Sequence, residues 1–276
     1  MIAVASLLSL FLVVAGALSV RFGLLPFGLS FTSYGLGLVA CALLVLTSGA
    51  LMARRLARQQ PLAKLPLYLL LCLSPLAVVV NQVGLAGFQV PAIHDISTDL
   101  AQPPAFVFAQ AERGPGENSL EHGGQGLAEQ QRLGYPHVVP LHLSAHKADV
   151  WRAAKAVIAN KRWRLLGEDK SRGHIEVAVT TALMGFTDDM VIRIRSAPTL
   201  PTTIAAVEPV DAEAPTGTPI ADVGSADTSS QEKPLAAASL VVDVRSVSRL
   251  GVSDLGANAT RIQGFLADFQ NRLKHK

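Results

Sequence analysis

The sequence predicts a membrane-anchored α+β protein: three transmembrane helices, then a two-layer domain of antiparallel sheet with two helices on one face. Three observations carry this reading. Apolar runs at about 2–20, 29–53 and 65–86 follow one another without an Asp or Glu. Four later segments alternate apolar and polar residues, the period of a half-buried strand. Two others repeat apolar residues at helical spacing.

The three runs come first. Each reaches or approaches the ~20 residues that a helix needs to cross the hydrocarbon core. Backbone groups in lipid must be satisfied within the segment, so the runs are expected to be helical. The first lacks a basic start and is long for a signal peptide, which predicts a retained helix. The only charges in residues 1–87 are Arg21, Arg54, Arg55, Arg58 and Lys64. The formal net charge of +3 thus divides into +5 there and −2 beyond, 19 Lys and Arg against 21 Asp and Glu. The basic pI belongs to the anchor's loops, which argues against nucleic acid as a partner. Basic loops stay in the cytoplasm. The 54–64 loop therefore predicts a cytoplasmic N-terminus, a multi-pass protein of the cytoplasmic (inner) membrane, and an extracytoplasmic, periplasmic domain over 88–276. Ser33, Gly37 and Cys41 recur every fourth residue, a spacing that lets helices pack closely. No ionisable residue lies mid-span, so the helices read as an anchor rather than a transport path. Cys41 and Cys72, the two cysteines, both fall inside the apolar runs.

Residues 88–143 are rich in Pro and Gly and read as irregular, with room for short strands only. Ser144 is placed to cap a helix running to about Asn160, with Val150, Ala154, Val157 and Ile158 on one face. Strands are expected at about 162–167, 173–181, 189–195 and 239–246. A last helix, capped by Ser253 or Asp254, carries Leu255, Ala259, Ile262, Leu266, Phe269 and Leu273 as one stripe. The stretch 197–237 holds six prolines, six acidic residues and one Lys, a composition that predicts a disordered acidic insertion.

Strand alternation assigns faces. Trp163, Leu165, Ile175, Val177, Val179, Met190, Ile192, Ile194, Leu240, Val242 and Val244 turn one way; Arg164, His174, Glu176, Arg193, Arg195, Asp243 and Arg245 turn the other. Arg193, Arg195, Asp243 and Arg245 form either a structural charge ladder or, with Arg249 and Arg261 at the last strand–helix junction, a binding face for an anion. The anion would be a lipid headgroup, a glycan or the acidic segment of a protein partner in the envelope. His94, Asp95 and Asp99 have the chemistry of an acid/base pair or half a metal site, and equally that of turn caps in a Pro-rich loop. No nucleophile accompanies them, so the sequence points away from catalysis. His137, His142 and His146 are close in sequence but read as a solvated loop. No metal and no cofactor is expected.

Several motifs are similar to those of the domain-of-unknown-function 1499 family. They are Pro91-Ala92-Ile93-His94-Asp95-Ile96-Ser97-Thr98-Asp99 with Pro103-Pro104, then Gly185-Phe186-Thr187-Asp188-Asp189 with Arg193. The longest runs from Val242 through Asp243, Val244, Arg245 and Ser246 to Gly251, and on through Ser253, Asp254 and Asn258 to Arg261 and Ile262. The resemblance covers most of 91–270 and implies no agreed activity. The functional expectation is a binding or scaffolding module at the cell envelope, in contact with membrane lipid. The alternatives are a hydrolase-like or metal-dependent enzyme using the His94/Asp95/Asp99 loop, and an accessory subunit of a membrane complex.

Overall fold

A computed structural model describes residues 1–197 and 238–274. All but the first residue of the predicted acidic insertion lie outside them. Three helices lead: α1 (Ile2–Phe22), α2 (Phe27–Ala57) and α3 (Leu65–Val83), each long and apolar enough to cross a membrane. α1 ends on Gly23 in the left-handed conformation, which turns the chain into α2 through four residues. The small-residue stripe of α2 is consumed inside this set. Ser33 donates to the carbonyl of Leu12, and Gly37 lies so close to α1 that a Cβ there would be 2.7 Å from the Val13 nitrogen. Gly16 makes the reciprocal approach to Tyr34. Cys41 and Cys72 are fully buried where α2 meets α3.

Beyond a single 3-10 turn (Ala86–Phe88) the order is β1 (Asp95–Ser97), α4 (Gly124–Gly134), β2 (Leu141–Ala145), α5 (Lys147–Asn160), β3 (Arg164–Asp169), β4 (His174–Thr180), β5 (Thr187–Ser196), β6 (Ala238–Ser248) and α6 (Ala257–Lys274). The strands make one antiparallel sheet of order β1-β6-β5-β4-β3, with β2 also on β6, beside the half of that strand that β1 leaves open. The architecture is the expected mixed α+β, with α5 and α6 on the apolar face. Its core holds every apolar strand residue that alternation assigned to β4, β5 and β6, together with Val150, Val157, Ile262, Phe265 and Phe269 from the helices.

Three expectations are corrected. The sheet has six strands rather than four, because the Pro/Gly-rich stretch supplies β1 and β2, and it also holds α4. These elements are short, and α4 buries only Ala128 and Gln131, so neither period is visible in sequence. Ser144 lies inside β2 and caps nothing; α5 begins at Lys147 after His146. Alternate Leu141, Leu143 and Ala145 pack on the core, and that pairing with β6 outweighs a helix start. The last helix begins at Ala257, with Asp254 accepting from the amides of Gly256 (2.8 Å) and Asn258 (2.8 Å). Leu255, two residues before that start, has φ 51° and stands outside the helix.

The sheet rests on the helices at one end. The β4–β5 tip touches the α1–α2 turn: Arg21 donates to the carbonyls of Ala182 and Leu183, and the Phe186 ring meets those of Phe27 (6.1 Å) and Phe31 (6.3 Å). β5 runs from that tip to the far end, and β6 returns from Ala238 toward the helices at Ser248.

Candidate functional site

Strand register brings the charged side chains together on the face opposite α5 and α6. That face is covered: residues 98–120 cross it, with Glu176, Asp189, Asp243 and Arg245 buried and Arg193 and Arg195 part-exposed. Arg245, 2 % exposed, forms a bidentate pair with Asp95 (2.9 and 2.8 Å). The same guanidinium donates to the carbonyls of Pro104 (3.1 Å) and Leu120 (2.9 Å) and lies over the Phe106 ring. Arg193 and Arg195 both donate to Asp243 (2.9 and 2.7 Å) and both reach Asp99 (3.0 and 3.2 Å). The second oxygen of Asp99 accepts from the amides of Ala101 and Gln102. Asp99 thus occupies the position that an external anion would take between the two arginine forks. Arg249 pairs with Asp189 (2.8 Å), which Arg113 also reaches (2.8 Å).

Arg261 belongs to the other face. It pairs with Asp188 (2.5 Å) beside Asn258, whose amide joins the His94 carbonyl (3.0 Å) to Ser248 (2.9 Å). Burial raises the Asp254 carboxyl above its usual range, and its oxygens already hold the first amides of α6. Asp188 and Asp189, adjacent in sequence, point to opposite faces and do not share a site. His94, Asp95 and Asp99 do not converge: Asp95 serves Arg245, Asp99 serves the Arg193/Arg195 pair, and the His94 ring has no hydrogen-bond partner among the described residues. Among those residues no three of His, Cys, Asp and Glu form a group able to hold a metal ion.

Sequence reasoning missed Glu112 and Arg113, members of this network that lie outside strands, and what Glu176 of β4 holds. Glu112 accepts from Arg164, which holds its carboxyl down to about 2. Glu176, fully buried, accepts from His174 (2.6 Å) and from the amides of Val107, Phe108 and Ala109, so it caps a 3-10 turn at Ala109–Glu112. Burial pushes this carboxyl up, but the His174 contact and the three amides outweigh it and hold it below the usual 4.5. A carboxylate depressed in the folded state contributes stability above its unfolded value and loses it as pH falls through the folded one. Glu176→Gln is therefore expected to cost on the order of 2 kcal/mol at pH 7. The gap to the native chain should close below about pH 4.5 in urea unfolding; a gap that persists into acid would contradict the assignment.

With the charged face satisfied, the open feature is an edge. Each end of a sheet exposes unpaired backbone groups unless something covers them. β1 is sealed by Gln131, whose side-chain amide accepts from the Ser97 nitrogen (2.9 Å) and donates to its carbonyl (2.6 Å), as a neighbouring strand would. β3 is broken by a bulge between Leu165 and Gly167 and flanked by the Arg164–Glu112 and Lys155–Glu168 pairs. Among the described residues β2 has no bulge, proline or ion pair. The Ser239 carbonyl accepts from Ala197, on the β5 side, so odd-numbered residues of β6 face β5 and even-numbered ones face β2. Leu141 and Leu143, opposite Val242 and Leu240, complete those bonds. The amides and carbonyls of His142 and Ser144 therefore point away from the sheet, and both residues are exposed. Beside them lies a groove of about 300 Å³ lined by Leu141, Leu143, Ala145, Asp149, Gln270, Leu273 and Lys274.

A family described as "Protein of unknown function (DUF1499)" matches residues 95–206 and 227–269. A search of curated proteins found no match.

Proposed function

We propose that this chain, which belongs to the DUF1499 family of proteins of unknown function, is a membrane-anchored binding module that takes up an extended polypeptide segment along β2. The observation that carries this is the outward-facing backbone of His142 and Ser144 beside a groove in which Leu141, Leu143, Ala145 and Leu273 lie among polar Asp149, Gln270 and Lys274. Two donors and two acceptors at strand spacing recognise another strand, and alternate side chains of that strand would enter the groove beside Leu141 and Leu143. The partner is thus an extended segment with apolar residues at every second position. A second copy of this chain fits poorly. Antiparallel joining of two β2 strands needs a twofold axis across the strands, which would turn the second set of helices away from the first membrane.

The module is proposed to face the outside of the cytoplasmic membrane, in the cell envelope. The basic 54–64 loop lies at the end of the helices remote from the sheet, and such loops stay inside. A cysteine placed at His142 is expected to react with an impermeant maleimide added to intact cells, and one at Arg58 is not. The reverse pattern would invert the orientation.

Binding is tested with a displayed library of unstructured peptides selected on the full chain in nanodiscs. Ser144→Pro removes an outward N–H and leaves the β6 side of β2 untouched. Selected peptides are expected to bind the native chain and to bind Ser144→Pro at least about tenfold more weakly, the cost of one or two strand hydrogen bonds. Equal binding to both chains, or no selection above background, would overturn the reading.

A further inference from the structure

We infer that the end of the sheet nearest the helices is seated in the lipid interface, with Val252 the side chain that enters it. The loop between β6 and α6 carries Val252, which is 78 % exposed, and Leu255, also exposed. An aliphatic side chain so open invites an apolar surrounding where other exposed apolar side chains lie around it. The position says which one. The Leu255 carbonyl lies 2.7 Å from where a Cβ on Gly87 would stand, so this loop touches the 3-10 turn that directly follows α3. α3 ends at Val83, and Leu85 and Phe88 beyond it are exposed too. On the neighbouring side, Arg21 at the end of α1 donates to the carbonyl of exposed Leu183 at the β4–β5 tip, and Leu24 and Leu25 of the α1–α2 turn are exposed as well.

These apolar side chains continue the lipid-facing surface of the helices around the base of the sheet. A bilayer that covers α1–α3 reaches this level, where a helix end meets the headgroups. Short chain links and two separate contacts, at Gly87 and at Arg21, hold the base there rather than on a stalk. The partner is the acyl–headgroup boundary of the membrane itself. Aliphatic and aromatic side chains bind this region by burying apolar area, and no charge complementarity is needed.

The test uses the full chain in nanodiscs with a single introduced cysteine carrying an environment-sensitive dye; native Cys41 and Cys72 are fully buried and remain unlabelled. Label positions are Val252→Cys, His142→Cys at the far end of the sheet, and Leu43→Cys on the exposed face of α2. Lipids bearing a shallow quencher are expected to abolish most of the emission at 252 and none at 142. A deep quencher is expected to act at 43, which reports on the span itself. Emission at 252 that matches 142 would overturn the inference. A blue-shifted but unquenched signal at 252 would also overturn it, because it would mean protein rather than lipid covers this loop. Failure at 43 alone would strike the membrane-spanning reading instead.

Discussion

Arg245→Ala is expected to remove about 3–5 kcal/mol of stability, because it leaves Asp95 buried and unpaired. A loss of that size is a large share of the 5–15 kcal/mol typical of a folded domain. The single guanidinium joins three things: β1 through Asp95, the covering segment through the carbonyls of Pro104 and Leu120, and the small apolar cluster through the Phe106 ring. Arg245→Lys keeps the charge but cannot make the bidentate pair, so an intermediate loss is expected. Replacing both partners, Arg245→Met with Asp95→Leu, is expected to recover much of the loss, since no uncompensated charge then stays buried. Urea unfolding followed through Trp151 and Trp163, both packed on the main core, reads all three variants. A change below about 1 kcal/mol in Arg245→Ala would put this pair in the class of weak surface bridges.

Gly37→Leu is expected to separate α1 from α2. A Cβ alone would meet the Val13 nitrogen at 2.7 Å and the Ser9 carbonyl at 3.0 Å, and backbone cannot rotate away as a side chain can. Overpacking typically costs about 1–3 kcal/mol, and contact with backbone puts this case at or above the upper end. The effect should spread, because the α1–α2 turn carries Arg21, Phe27 and Phe31, on which the β4–β5 tip rests. Gly35→Leu on the same helix meets nothing within 4 Å and serves as the control. Thermal unfolding in detergent is expected to drop sharply for the first variant and hardly move for the second. Equal behaviour would mean that the close approach of α1 and α2 is absent.

Much of this was legible in sequence wherever one physical signal dominated. Charge-free apolar length marked α1–α3, and strict alternation assigned the faces of β4, β5 and β6. What escaped depended on distant partners. Asp95 and Arg245 are 150 residues apart in the chain, and nothing local says that they pair. The stripe Ser33/Gly37/Cys41 announced close packing but not that α1 and α3 would be the helices packed on it. The polar face of the sheet could be read as open because the segment that covers it looks like loop. Leu141, Leu143 and Ala145 alternate for too few residues to outweigh the helix signal at Ser144. Gln131, which closes β1, gave no signal at all: a lone glutamine becomes an edge cover only once Ser97 lies beside it.

The contrast between the two halves of that edge is the most direct test of the account, because recognition along β2 requires its backbone to be free. Hydrogen exchange of the full chain in nanodiscs, read at single-amide resolution, measures it. Ser97, bonded to buried Gln131, is expected to exchange slowly, and His142 and Ser144 to exchange rapidly in the free protein and slowly once a selected peptide is added. Strong protection of His142 and Ser144 in the free protein would mean that the edge is already occupied, and the proposed binding site along β2 would be wrong.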